Sequence, residues 1–181
     1  MIAGKSSLMF FSALAVCIYG VFSQTVTCKW NRSRLIDGKC FLVLEVNLSW
    51  KEALQVCRNF GATLATLSTQ NQFDNATTLF NNYGSLWIGA SDKAREGIFV
   101  WVGDHSQFTS NSWWQPDHPL TNANSNCVAV GAGSVADDRC ENLYNALCME
   151  PQNTAVLRMA SLLLISLLPA VTSLLLQMMV S

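Results

Sequence analysis

The sequence predicts an α+β fold, a single domain of two helices packed on small antiparallel sheets with one long irregular loop. Two segments carry apolar residues at helical spacing behind capping residues. Short runs of β-branched and aromatic residues between turn residues predict the strands. The domain occupies residues 24–150 of the 181-residue chain, between two apolar ends, and this length suits one hydrophobic core.

The first 23 residues predict a secretory signal peptide. Lys5 precedes an apolar stretch from Leu8 to Tyr19, and Val21 and Ser23 occupy the positions where cleavage favours small side chains. An uncleaved signal anchor is the alternative, but the apolar stretch is short for a full membrane span. We therefore expect the mature chain to begin at Gln24.

A predicted hairpin and the first helix open the mature chain. Two extended runs flank a turn at Asp37 and Gly38. Ser49 and Glu52 form a capping box at the start of the helix, and Gly61 ends it. The apolar face of this helix consists of Trp50, Ala53, Leu54 and Cys57.

A second helix and the remaining strands follow. Ser68 or Thr69 caps the helix, and Gly84 closes it. The segments SLWIGASD, GIFVWVGD, CVAV and ALCME predict strands, whereas residues 105–126 are rich in Asn, Ser and Pro. A loop this long inside a compact domain is usually functional or mobile. The apolar side of the second helix consists of Phe73, Ala76, Leu79 and Phe80.

The cysteines of the domain indicate an oxidising compartment. Seven cysteines less Cys17 of the signal peptide leave an even number, which implies disulfides in a secreted chain. No pair has the Cys-x-x-Cys spacing, so zinc and thioredoxin-like chemistry are not expected. Glycosylation sequons at Asn31, Asn47 and Asn75 agree with export.

Residues 151–181 predict attachment to a membrane. The segment from Met159 to Ser181 has no charged residue and is long enough to cross a bilayer, yet no Lys or Arg follows it. Small or polar residues, a spacer and an apolar tail are the layout of a GPI-attachment signal, with the lipid at Asn153. A terminal transmembrane helix containing Pro169 is the main alternative. A buried core helix is disfavoured because the segment has no polar face.

Several fragments together resemble the C-type lectin-like domain family over residues 28–150. SWKEALQVCRNFGATLATL resembles the first helix and the strand entry after it, LWIGASD the W-I-G core strand, and FVWVGD the F-x-W segment. WWQPD resembles the loop of the family, and CVAV, DDRC and ALCME resemble its closing strands. The order and spacing of these fragments make the resemblance specific. We expect Trp50, Trp87, Ile88 and Trp101 to belong to the core.

The resemblance implies a disulfide pattern that the residues alone leave open. It pairs Cys57 with Cys148, Cys127 with Cys140, and Cys28 with Cys40. The last pair marks the longer form of the domain, with an N-terminal hairpin. The Cys57–Cys148 bridge would join the first helix to the last strand and close a long loop, which stabilises the fold entropically.

The resemblance also implies a calcium and sugar site in WWQPDHP, residues 113–119. In the family, Gln-Pro-Asp tends to select galactose-type sugars, so Gln115 and Asp117 would bind calcium and sugar, with Asp137 as a third ligand. A cis bond before Pro116 would turn both loop side chains to one side. One of the two tryptophans, Trp113 and Trp114, is expected to pack under the loop, while the other stacks on a sugar ring. Trp114 and Asn124 complete the predicted sugar contacts.

Two calcium ligands of the family are replaced in this chain. Ser125 stands where the family has Glu, and Ala136 where it has Asn. Because calcium affinity depends on the number and charge of its oxygen ligands, the implied site is weakened. Asn124, Asn126 and Asp138 are candidates to compensate. The alternative is that Gln-Pro-Asp is a turn kept for its geometry.

Together these features predict a carbohydrate-binding C-type lectin that reaches the outer face of the plasma membrane, or the extracellular space, through the secretory pathway. Calcium is the implied cofactor, and glycans or glycoproteins are the implied partners. The alternative is a calcium-independent adhesion module that binds protein or extracellular matrix through the long loop. No catalytic constellation appears, so an enzyme is not expected. A net charge of −1 argues against nucleic acid, and His105 and His118 are expected at the solvated surface.

Overall fold

The structure is a computed structural model that describes residues 26–78, 80–120 and 122–151. The predicted signal peptide, the C-terminal segment with Asn153, and Leu79 lie outside these residues. The strands are β1 (Arg34–Ile36), β2 (Lys39–Leu48), β3 (Thr63–Leu64), β4 (Leu86–Ser91), β5 (Val100–Trp101), β6 (Cys127–Gly131), β7 (Ser134–Asp138) and β8 (Tyr144–Met149), and the helices are α1 (Trp50–Asn59) and α2 (Gln70–Thr78).

The strands form one sheet in the order β1-β2-β8-β4-β6-β7, while β3 pairs with β8 and β5 pairs with β4. Every pairing is antiparallel except that of β4 with β8. The predicted α+β class is confirmed. Within the described residues, no helix is both long and apolar enough to cross a membrane.

The N-terminal hairpin has the predicted turn. Asp37 and Gly38 connect β1 to β2 with φ angles of 47° and 73°, and the pairing next to the turn is Ile36 with Lys39. A two-residue turn of this kind needs positive φ at both positions, which Asp and Gly accept more readily than most residues.

The two helices begin where the sequence predicts. At α1, the backbone N–H of Ser49 donates to Glu52 Oε2 at 3.0 Å, as the capping box requires. At α2, Thr69 Oγ1 accepts a hydrogen bond from the N–H of Gln72 at 3.1 Å, so Thr69 and not Ser68 is the cap. The predicted apolar face of α1 is buried in full. Phe80 is buried too, but it follows the end of α2.

The core tryptophans are also hydrogen-bonded. Trp50 Nε1 donates to the carbonyl oxygen of Ile88 at 2.8 Å, and Trp87 Nε1 donates to that of Leu48 at 2.9 Å. Trp50, Trp87, Ile88 and Trp101 are all buried, as expected. A buried indole N–H needs a partner, so these bonds tie α1 and the end of β2 to the central strand β4.

All three implied disulfides are present. They join Cys28 to Cys40, Cys57 to Cys148, and Cys127 to Cys140, with Cα–Cα distances of 5.5, 5.6 and 5.2 Å. These distances lie in the normal range for a disulfide. The bridges link the hairpin to the preceding segment, α1 to β8, and β6 to the residues after β7.

Candidate functional site

Trp113 anchors the long loop, residues 105–126, to the core. Its ring stacks on Phe73 of α2, with a centroid distance of 4.7 Å and an interplanar angle of 7°. Its Nε1 donates to Gln70 Oε1 at 2.7 Å. Trp113 is therefore the tryptophan that packs under the loop.

Trp114 is half-buried rather than free in solvent. Its ring lies 5.0 Å from that of Phe99 and 5.2 Å from that of Phe108, measured between centroids. Its backbone forms a parallel bridge with Val135 of β7. The residue predicted to stack on sugar therefore offers only part of its ring to a ligand.

Asp137 lies on β7 and is buried, with its two oxygens facing the loop. His118 Nδ1 lies 2.6 Å from Asp137 Oδ1. The backbone N–H of Leu120 donates to Oδ1 at 2.9 Å and to Oδ2 at 3.0 Å. The expectation that His118 is a solvated surface residue is wrong, because this carboxylate 19 residues along the chain pairs with it and its side chain is only 13% exposed.

Gln115 and Asp117 lie on a turn at the loop surface. The N–H of Gln115 donates to the carbonyl oxygen of Val135 at 2.9 Å, and its own carbonyl accepts the N–H of His118 at 3.1 Å. Asp117 is exposed with a φ of 66°. Within the described residues the cis peptide bond is His118–Pro119, so the bond before Pro116 is trans.

The other predicted ligand residues are distributed around the loop. Asn124 is exposed, and its N–H donates to Asn122 Oδ1 at 3.1 Å. Asn126 Nδ2 donates to the carbonyl oxygen of Ala123 at 2.8 Å. Ser125 is buried, and Ala136 pairs with Ala129 in the sheet. Neither amide side chain makes a hydrogen bond to Asp137 among the contacts of the described residues.

Asp138 is tied to β8 instead of the loop. Its Oδ2 accepts the Tyr144 hydroxyl at 2.6 Å, and its Oδ1 accepts the N–H of Arg139 at 2.7 Å. Burial alone would raise the pKa of Asp138, but the hydrogen bonds from Tyr144, Asn142 and Arg139 outweigh it, and the pKa is lowered.

Asp92, which follows β4, is a buried acid that the sequence analysis did not single out. Its Oδ2 accepts the N–H of Gly97 at 2.8 Å, whereas its Oδ1 has no hydrogen-bond partner in the described part of the chain. Burial raises the pKa of Asp92, and the nearby charge of Asp137 adds to the rise. An Asp at the end of an apolar strand, as in SLWIGASD, was the available signal.

The predicted calcium ligands, Gln115, Asp117 and Asp137, do not form a site that fits the ion in this arrangement. Calcium takes six to eight oxygen ligands. Both oxygens of Asp137 already accept protein donors, and Asp117 stands exposed on its turn. Among residues 26–78, 80–120 and 122–151, no three His, Cys, Asp or Glu side chains group closely enough to hold a metal. Among these residues, the buried side-chain oxygens without a hydrogen-bond partner are Thr66 Oγ1 and Asp92 Oδ1, and neither belongs to the predicted set.

The three disulfides fit a domain of an oxidising, extracellular compartment. The sequence profile of the Lectin C-type domain matches residues 46–150. The chain belongs to the C-type lectin domain family, whose members are generally binding proteins without enzymatic activity.

Individual relatives agree with this assignment. Lectin BRA-3 of Megabalanus rosa is 31% identical over 158 residues, which cover 81% of this chain and 93% of that protein. The C-type carbohydrate-recognition domain of cow CD23, solved in the presence of GlcNAc2Man3 oligosaccharide, is 26% identical with a TM-score of 0.63, over 71% of this chain and 99% of that one. A calcium-independent type II antifreeze protein shares the fold at 20% identity and a TM-score of 0.61, over 71% and 97% of the two chains.

Proposed function

We propose that this protein is an extracellular glycan-binding lectin whose ligand surface is the turn from Trp114 to Pro119. The observation that carries the proposal is the fixed base of this turn. Trp113 is stacked on Phe73, and the Gln115 N–H donates to the Val135 carbonyl oxygen, so the turn with half-buried Gln115 and exposed Asp117 is held against the core. A relative named a lectin and a related carbohydrate-recognition domain support glycans as the ligand class.

Galactose-type glycans are the proposed preference, because Gln115, Pro116 and Asp117 match the Gln-Pro-Asp motif that tends to select galactose in the family. A calcium-dependent form of this site would need Asp137 on the same ion. Oδ1 of Asp137 already accepts His118 Nδ1 and the Leu120 N–H, and the same N–H also donates to Oδ2. This geometry favours direct hydrogen bonding of sugar hydroxyls by Gln115 and Asp117 over coordination through calcium.

Retention of the full-length protein on galactose resin tests the proposal. We expect retention in both calcium and EDTA, and loss of retention in Asp117→Asn, which removes a charged acceptor but tolerates the positive φ. The matched control is Glu45→Gln, an exposed acid on β2, which should bind as the wild type does. Elution by EDTA would establish the calcium-dependent form. Failure to bind any member of a glycan panel would contradict the proposal.

A second candidate is a calcium-independent adhesion module that binds protein or extracellular matrix through the same loop. The pairing of Asp137 with His118 favours it, since donors from the protein itself hold the loop on β7. Binding to immobilised matrix proteins in EDTA, without competition by free sugars, would support this candidate. Competition by galactose would contradict it.

The proposed location is the outer face of the plasma membrane, reached by signal-peptide removal before Gln24 and held by a lipid at Asn153. The three disulfides suit an extracellular site. Asn31 and Asn47 are exposed, and Asn75 is half-buried, with its Nδ2 donating to the carbonyl oxygen of Asn71 at 2.7 Å. Release of the protein from cells by phosphatidylinositol-specific phospholipase C is the expected result. Retention after treatment would favour a transmembrane tail.

A further inference from the structure

We propose that His118 takes the place of a metal ion in ordering the long loop, so that the loop closes on β7 without calcium. The contacts of Asp137 differ from those that the implied calcium site requires, whichever ligand the loop binds.

The carboxylate of Asp137 needs partners because it is 1% exposed. An ionised carboxyl buried without partners is strongly unfavourable, and a bound cation or protein donors can relieve this cost. Here His118 Nδ1 at 2.6 Å and the Leu120 N–H at 2.9 and 3.0 Å supply the donors. A carboxylate can only accept hydrogen bonds, so Nδ1 is the donor in this pair.

These contacts connect two distant parts of the chain. His118 and Leu120 lie 19 and 17 residues before Asp137, and a further hydrogen bond joins Gln115 to Val135. All the donors come from residues 115–120 of the loop, and all the acceptors come from β7. The turn is therefore fixed from both of its ends against a strand that belongs to the core sheet.

A calcium ion at Asp137 would compete with this arrangement. Each carboxylate oxygen has two acceptor sites, and Oδ1 of Asp137 already accepts both His118 Nδ1 and the Leu120 N–H. Coordination of calcium through Oδ1 would therefore require His118 or Leu120 to leave, with the loss of contacts that hold the loop. The wild-type loop should therefore be as ordered in EDTA as in calcium.

Hydrogen exchange at the Leu120 amide, measured on the full-length protein, tests the proposal. In the wild type we expect the same exchange rate in millimolar calcium and in excess EDTA. His118→Ala should raise the rate roughly ten- to a hundredfold, as expected for the loss of a hydrogen bond to a charged group. His118→Asn should restore most of the protection, because its side-chain amide can donate from near the position of Nδ1.

His105→Ala is the control, because His105 is an exposed histidine of the same loop. It should leave the exchange of Leu120 unchanged. A rise in the wild-type rate on adding EDTA would overturn the proposal without any variant. Unchanged protection in His118→Ala would also overturn it, and equal loss in the Ala and Asn variants would show that ring packing, not the donated hydrogen bond, holds the loop.

Discussion

Gly89 stands in the middle of β4 with no room for a side chain. A Cβ atom there would lie 2.9 Å from the carbonyl oxygen of Leu64, 3.2 Å from that of Ala65 and 3.1 Å from Val102 Cγ2. The carbonyl oxygens of Leu64 and Ala65 are backbone atoms, and the Ala65 oxygen is held close because it accepts the Gly89 N–H. The Gly89 carbonyl oxygen in turn accepts the Val102 N–H, which keeps Val102 near. Glycine inside a strand often marks such a close approach.

Gly89→Ala should therefore lower the free energy of unfolding by about 1–3 kcal/mol, the usual cost of overpacking a core. The urea midpoint measures the effect. Gly131→Ala is the matched control, because its added Cβ would meet Ser85 atoms only at 3.4 Å and beyond. Equal midpoints for the two variants would show that the backbone around Gly89 can move apart.

At the scale of elements, one side-chain pair joins β7 to β8 beside the candidate site. The Tyr144 hydroxyl donates to Asp138 Oδ2 at 2.6 Å, and the Tyr144 ring packs against Trp87 at a centroid distance of 4.7 Å. Burial raises the pKa of Tyr144, and the hydrogen bond to Asp138 raises it further.

This pair predicts a stability contribution that alkali removes. A raised pKa means that the folded state favours the protonated phenol, so the contribution is complete below the unfolded pKa of about 10 and is lost as pH rises through the folded value. Tyr144→Phe should lower the thermal midpoint at neutral pH. It should also reduce the fall of the midpoint as pH rises into the alkaline range. Thermal midpoints from neutral pH to about pH 11 measure both effects.

Tyr83→Phe is the control for this comparison, because the Tyr83 side chain is exposed. Its midpoints should follow the wild-type curve. The pKa of Asp138 is lowered, so its effect on stability has the opposite pH dependence. Its contribution to stability is present above the unfolded pKa of about 3.9 and is lost as pH falls through the lowered value. Parallel pH curves for Tyr144→Phe and wild type would contradict the assignment.

For the whole molecule, the disulfides differ in what they constrain. Cys57–Cys148 spans 91 residues of sequence, whereas Cys28–Cys40 spans 12. In the chain-entropy description, a crosslink stabilises the fold by restricting the unfolded chain, and longer loops give larger effects. The long bridge also joins α1 to β8 at the centre of the fold, with both cysteines buried.

Replacing Cys57 and Cys148 with alanine should therefore cost more stability than replacing Cys28 and Cys40. The chain-entropy relation gives about 4–5 kcal/mol for the long loop and about 3 kcal/mol for the short one. Guanidinium unfolding of the two double variants measures the difference. Equal losses of stability in the two double variants would show that these bridges do not stabilise the fold mainly by restricting the unfolded chain.

Most of the fold was predictable because its signals are local. The turn at Asp37–Gly38 and the capping box at Ser49 depend on residues a few positions apart, and the structure confirms both. The residue pattern did not predict strand β7, because SVADD carries little β-branched or aromatic character, although the family resemblance placed a closing strand at DDRC. It forms by pairing with β6 across a turn at Ala132 and Gly133.

The sequence by itself determined the helices, most strands, the core tryptophans and, through family resemblance, the three disulfides. The tertiary structure alone decided the contacts at the candidate site. His118 and Asp137 are 19 residues apart, and they meet only because Trp113 fixes the base of the loop while β7 pairs with β6. Hydrogen bonding between distant side chains depends on where folding places each backbone, and no local pattern of residues encodes that distance.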